Sequence, residues 1–339
     1  MLFFLVPLLP QFFIIVLLYP KKAKKLIFRD FRYNCEKNQR IFLEADVKKG
    51  VYYMLFASFL FAFMGAFAKE LSNSMSSVEI VFFRNVFGVI VIGYALYKSP
   101  IKNIGGKPFL LFFRGFIGFS ALLMFFYNIA NISLAEAMTF SKTSPIFTAI
   151  FAYVILKERL NFYAWCGVFI GFIGIMFITS FNPMTLSKTD WLGILSGVGA
   201  AMAYTSIREL KNYYDTKAIV FSFMAVGTVG PLILMSIGNF YQNELFDFAI
   251  APFVMPSGVS WIYIVLLGIF STYAQVFMTK AYSSTKAGIV GTIGYTNIIF
   301  SIILGLFLGD NFPSFMVSFG IVLIILSGVL VASNSTIKQ

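Results

Sequence analysis

The 339-residue chain contains no histidine, only two cysteines (Cys35 and Cys166), and charged residues at just 12% of its positions. Without histidine there is no imidazole for proton transfer near neutral pH or for metal ligation. Two cysteines cannot build a disulfide framework. No GxxxxGK[ST] phosphate-binding stretch occurs, which argues against ATP-driven pumping within this chain. A soluble domain carries about a quarter charged residues, so the polar surface needed for solubility is missing. These absences predict no catalytic residues, no metal and no cofactor.

What fills the chain is apolar: 59% hydrophobic residues, 43 of them phenylalanine. About 17–25 apolar residues cross the ~30 Å hydrocarbon layer as a helix. Ten such stretches are predicted, at 51–68, 79–97, 109–130, 134–156, 163–180, 191–207, 218–238, 259–280, 287–308 and 313–332. The fold class expected is therefore an all-α membrane protein of ten transmembrane helices, with the lipid bilayer as partner. The net charge of +12 has a simple source. With the segment before the first span placed in the cytoplasm, inward segments carry 21 basic residues and outward loops only Lys69 and Lys188. Cytoplasmic loops accumulate Lys and Arg in this way, so no nucleic acid partner is expected. Both ends of the ten-helix unit, and its C-terminus, are placed in the cytoplasm. The localisation expected is the cell membrane, as a multi-pass protein, or the inner membrane of a bacterium.

The second half echoes the first. An offset of 152 aligns Ala135 with Ala287, Ile146 with Ile298, Leu156 with Leu308 and Glu158 with Asp310. An offset of 151 aligns Ser120 with Ser271, Phe126 with Phe277 and Ala130 with Ala281. Residues 50–180 and 190–333 thus form two five-helix repeats. An odd number of spans forces the second copy to begin on the opposite side, so the repeats are expected to be inverted, a recurrent transporter architecture with the substrate site between the halves.

The Arg84 of VFFRN, the Ser144-Pro145 of KTSPIF and the Glu158 of LKERL form a pattern that resembles the EamA-type repeat of the drug/metabolite transporter superfamily. The resemblance covers 50–333, and the stretch from Leu134 to Glu158 also resembles the solute carrier 35G-type branch. It implies transport of a small-molecule substrate. The second half departs from the pattern, with Thr296-Asn297 where the first has Ser144-Pro145, which leaves a paired proline hinge in doubt.

Polar positions within spans must face inward. Ser120, Tyr127, Asn128 and Asn131 form a stripe on the third span. Ser271, Gln275, Thr279 and Tyr282 form one on the eighth, where Met278 also falls at a repeat-related position. Thr139, Lys142 and Thr143 share a face of the fourth span, and the ninth offers Tyr295, Thr296 and Asn297. The substrate-binding candidates are Lys142, Thr139, Thr143, Asn128, Tyr127, Gln275, Thr279, Tyr295, Asn297 and Arg84. The alternative is that these groups only bond between helices. Lys142 lies about 10 Å along its helix at ~1.5 Å per residue. There it either meets a substrate carboxylate or phosphate, or snorkels outward. Arg84 and Arg114 are expected near opposite surfaces, Arg114 snorkelling and Arg84 either paired with Glu70, Glu79 or Glu136 or touching substrate. Glycines 167, 171 and 174, 193 and 197, and 288, 291 and 294 read as helix-packing positions, with a homodimer through the fifth-span face as one option.

Residues 1–49 form an N-terminal extension: a hydrophobic stretch interrupted by Pro7 and Pro10, then a basic segment. It reads as an extra helix, as an interfacial anchor, or as the product of an upstream start site, with residues 1–46 then absent from the native protein. The function expected is a secondary transporter, exporter or exchanger, of a small organic metabolite such as an amino acid or related anion, working by alternating access. The alternatives are an intramembrane lipid-modifying enzyme and a non-transporting lipid-handling membrane subunit.

Overall fold

The computed structural model describes residues 48–99, 105–154, 162–178, 186–241, 243, 245–284 and 287–337. The three readings of the N-terminal extension concern residues outside these, and Glu158 lies outside them too. Every described element is a helix. In chain order they are α1 (Lys48–Leu71), α2 (Ser77–Lys98), α3 (Pro108–Asn131), α4 (Leu134–Ser141), α5 (Ser144–Val154), α6 (Phe162–Ile178), α7 (Lys188–Leu210), α8 (Thr216–Gly238), α9 (Ser260–Ser284), α10 (Ala287–Gly294), α11 (Thr296–Phe307) and α12 (Phe315–Ile337). Residues 49–339 form one compact unit.

Local chemistry starts these helices. Ser76 and Glu79 form a reciprocal capping box at α2, as do Ser187 and Asp190 at α7. Ser133 and Asp215 cap α4 and α8 by accepting from Glu136 and Lys217 N–H groups. Such caps satisfy the orphan donors of a first turn. Among the described residues five helices, α1, α2, α3, α8 and α9, are long and apolar enough to cross a membrane. Their outward faces carry exposed apolar side chains, including Ile90, Val91, Leu232, Ile233, Ile262 and Val265. The three tryptophans, Trp165, Trp191 and Trp261, each stand half-exposed in the first turn of a helix, where aromatic rings anchor at a membrane interface.

The repeat-related stretches 134–156 and 287–308 are each split into two helices. In the first, the N–H of Ile146 bonds the Thr143 carbonyl at 2.9 Å; in the second, Ile298 bonds Tyr295 at 3.0 Å. Both are i to i+3 bonds, and the offset of 152 maps one onto the other. Pro145 falls in the first turn of α5, where its missing N–H costs no helical bond. The second break carries no proline, so proline is not what the two breaks share.

Helix α2 packs against α8 and α6 against α12, each pair meeting in opposite chain order. Gly88 of α2 meets Met224 of α8, while Asn85 meets Gly227. Gly171 of α6 meets Ser327 of α12, and Gly174 meets Gly320 and Ile324. The α6 glycine face is thus covered by α12 of the same chain, which takes away the dimer surface expected there. Contacts between connections fall into two sets. One joins Lys69 to Asp310 at 3.3 Å, Lys188 to Asp247, and the Val254 N–H to Glu79 at 2.7 Å. The other joins Lys107 to Glu209 at 2.5 Å, and the Gly105 N–H to the Tyr213 carbonyl at 3.0 Å.

Candidate functional site

One face of α3 is set by spacing: Arg114, Gly118, Ala121 and Phe125 recur at three- and four-residue intervals. That face, with residues of α1, α2, α4, α7, α8, α9 and α11, lines one open cavity. Arg84 reaches it from α2 and Lys142 from the α4–α5 break; Gln275 arrives from α9 and Asn297 from α11. Phe61, Met64, Phe125, Met138 and Met278 supply an apolar wall. A mostly apolar hollow with a few converging polar groups is the ordinary form of a small-molecule site.

Two guanidinium groups converge on a single ring. The Cζ of Arg84 stands 5.4 Å from the Phe223 centroid, and that of Arg114 stands 4.7 Å from it. Arg84 is 1% exposed and Arg114 2%. Arg84 Nη1 donates to Asn85 Oδ1 at 2.9 Å. Asn85 in turn donates to the carbonyls of Val81 at 2.8 Å and Gly227 at 3.1 Å, so α8 fixes the Arg84 support. Arg84 Nε, Arg114 Nε and Nη1, and Gln275 Nε2 are buried without a hydrogen-bond partner. Among the described residues that line the cavity none is acidic. Among the described residues no carboxylate stands within ion-pair distance of Arg84, Arg114 or Lys142. Lys142 is the C-cap of α4, with its N–H bonded to the Met138 carbonyl. A cation is favoured at that negative end of the helix dipole.

Two expectations about the arginines are corrected. Arg114 does not snorkel to a surface: its long side chain runs along α3 to Phe223 and meets Arg84 there. Arg84 pairs with none of the three glutamates considered for it. Glu79 is held by the Ser76 cap and the Val254 N–H, because a carboxylate at a helix start finds orphan N–H donors closer than a guanidinium more than a turn away.

Of the ten expected substrate residues, Lys142, Arg84, Gln275 and Asn297 line the cavity, and the others do not. Thr139 and Thr279 bond carbonyls four residues back, at 2.7 and 2.8 Å, and Thr143 bonds the Phe140 carbonyl at 2.7 Å. Short hydroxyl side chains satisfy themselves on their own helix in this way, so they need not face a polar hollow. Asn128 donates to the Thr189 carbonyl at 2.9 Å and ties α3 to α7. Tyr127 donates to Asp247 at 3.2 Å, with the Lys188 ammonium over its ring. Tyr295 is buried against Gly328. Conversely, Arg114, Phe223, Tyr204, Ser141 and Ser196 line the cavity without having been singled out for it. The rule that flagged Lys142, that a charge inside a span marks function by default, applied equally to Arg114.

At the end of the bundle away from Lys69, the Lys107 ammonium is held above the ordinary lysine range by its hydrogen bond to Glu209. It stays charged throughout neutral pH.

Apolar helices thus wrap a cavity to which Arg84, Arg114 and Lys142 bring positive charge. The chain belongs to the EamA-like transporter family, whose model matches it twice, at residues 48–180 and 187–333. It is 33% identical over 295 residues to an uncharacterised transporter of Helicobacter pylori, covering 86% of this chain and 96% of that one. It is 32% identical over 284 residues to the pseudopaline exporter CntI of Pseudomonas aeruginosa, covering 83% and 95%. Human solute carrier family 35 member G1 is 26% identical over 298 residues, covering 83% of this chain and 78% of the relative. A protein known from a crystal structure shares the fold, with a TM-score of 0.58 at 16% identity over 87% of this chain and 99% of that one.

Proposed function

We propose that this protein is a secondary transporter, exporter or exchanger, that moves a small organic anion across the cytoplasmic membrane by alternating access. The observation that carries the reading is the cavity that Arg84, Arg114 and Lys142 all line, with no carboxylate among the described residues of its lining. A buried cation is costly unless an anion, water or dipole receives it, and a transported anion would serve. The similarity to an exporter in Pseudomonas aeruginosa favours outward transport.

The architecture we propose is ten spans in two inverted five-helix halves, 50–180 and 190–333, with α4–α5 and α10–α11 each a single interrupted span. Three observations support it. Equivalent helices cross antiparallel, as an inverted pair must. The two helix breaks fall at repeat-related positions, and discontinuous helices near a substrate site are frequent in such transporters. The two sets of connection contacts never mix segments that alternating spans would put on opposite sides. Both termini of the ten-helix unit then face the cytoplasm, where the basic segments lie.

Counterflow in proteoliposomes tests the function. Vesicles preloaded with a mixture of small organic acids are expected to accumulate labelled acid from outside only when the protein is present. A lipid-modifying enzyme or a structural subunit moves no solute, so absence of protein-dependent counterflow across the mixture removes the reading.

A further inference from the structure

Resting on that transport reading, we infer that the substrate is an organic polyanion carrying at least two acidic groups, carboxylate or phosphate, and no ammonium group. An amino acid, with one carboxylate and one ammonium, fits the cavity poorly. Arg84, Arg114 and Lys142 come from three different segments and line one hollow. A single carboxylate neutralises at most one of these three cations. An ammonium entering with it meets three like charges and no acidic side chain among the described residues of the lining.

The donor geometry agrees. Arg84 Nε together with Arg114 Nε and Nη1 are buried N–H groups that no protein atom accepts from. The guanidinium fork matches the planar carboxylate or a phosphate face through paired bonds. Phe223 holds both forks through the cation–aromatic contacts already described, which eases their mutual repulsion while leaving donors free. Lys142 adds a point charge from the α4–α5 break, suited to a further acidic group. The apolar side chains of Phe61, Met64 and Met278 face the same hollow and suit the carbon skeleton between the acids.

The test uses purified full-length protein and a graded series of probes: butyrate, succinate, tricarballylate, glycerol 3-phosphate and alanine. Ligand-induced thermal stabilisation reads affinity, because a ligand that binds only the folded state stabilises it by mass action. Affinity is expected to rise roughly tenfold with each added acid, since charge-assisted contacts of ~1.4 kcal/mol correspond to a factor of ten. Glycerol 3-phosphate exceeding succinate assigns phosphate esters; the reverse assigns polycarboxylates. Lys142→Met is expected to flatten the step from two acids to three, and Lys142→Arg to retain it, which separates lost charge from disturbed packing. Alanine or butyrate binding as well as succinate overturns the inference, as do a silent panel and an unchanged series in Lys142→Met. Polyanion binding without counterflow keeps the inference and removes the transport reading. Counterflow of butyrate with no polyanion binding does the opposite.

Discussion

Phe223 is one residue on which two cations depend. Each guanidinium–ring contact contributes ~0.5–2 kcal/mol when shielded from water, so Phe223→Leu removes part of the support for both arginines. The expected result is a protein of nearly normal abundance in the membrane whose apparent KM for the transported anion rises roughly tenfold. Gly118 makes a finer probe. A Cβ there would stand 2.6 Å from Arg114 Nη1 and 3.1 Å from the Phe223 ring. The guanidinium, at the end of a flexible chain, can move aside at small cost to stability. Gly118→Ala is therefore expected to weaken substrate binding while leaving the melting temperature close to that of the unaltered protein. A melting point lowered as far as the affinity would make Gly118 a packing residue only. At this scale Lys142 and Arg84 were legible in the sequence because a charge within an apolar run is conspicuous. Thr139, Thr143 and Asn128 misled because polarity alone does not reveal whether a side chain bonds its own backbone or an open cavity.

The α4–α5 and α10–α11 breaks are features of elements rather than of residues. The α4–α5 break is held by α7: a Cβ on Gly197 would stand 2.1 Å from Thr143 Oγ1 and 3.0 Å from the Phe140 carbonyl, and one on Gly193 would enter the Phe140 ring. Thr143 is buried and backbone-bonded, so it cannot step aside. Gly197→Val is expected to destabilise the protein by about 1–3 kcal/mol through overpacking, read as a lowered melting temperature in detergent. A second element junction is the start of α4. Asp310 accepts from the Leu134 N–H at 2.8 Å and stands 3.3 Å from Lys69, which itself donates to the Ile132 carbonyl at 2.6 Å. Asp310→Ala leaves that N–H without its acceptor and is expected to cost about 1–2 kcal/mol. Asp310→Asn keeps an acceptor and is expected to recover part of it; equal losses in the two variants would mean that the charge alone matters. The glycine spacings announced close packing in the sequence. Which helix each face meets was not legible there, because small residues permit an approach without choosing the partner.

For the whole molecule, sidedness is the decisive property. In a background with Cys35 and Cys166 replaced by serine, single cysteines at positions 107 and 188 report the two ends of the bundle. Membrane-impermeant thiol reagent applied to intact cells is expected to label position 188 and to spare position 107 until the membrane is opened. Labelling of both from one side would defeat the inverted architecture. The helical membrane character and the duplication were determined by the sequence itself. Transfer of a segment into hydrocarbon depends on the local run of side chains, and a repeat is a one-dimensional pattern. Which buried polar groups share a cavity was decided only by the tertiary structure. Arg84 and Arg114 are thirty positions apart on neighbouring helices, and only the docking of α8, with Phe223 between them, brings their charges to one place.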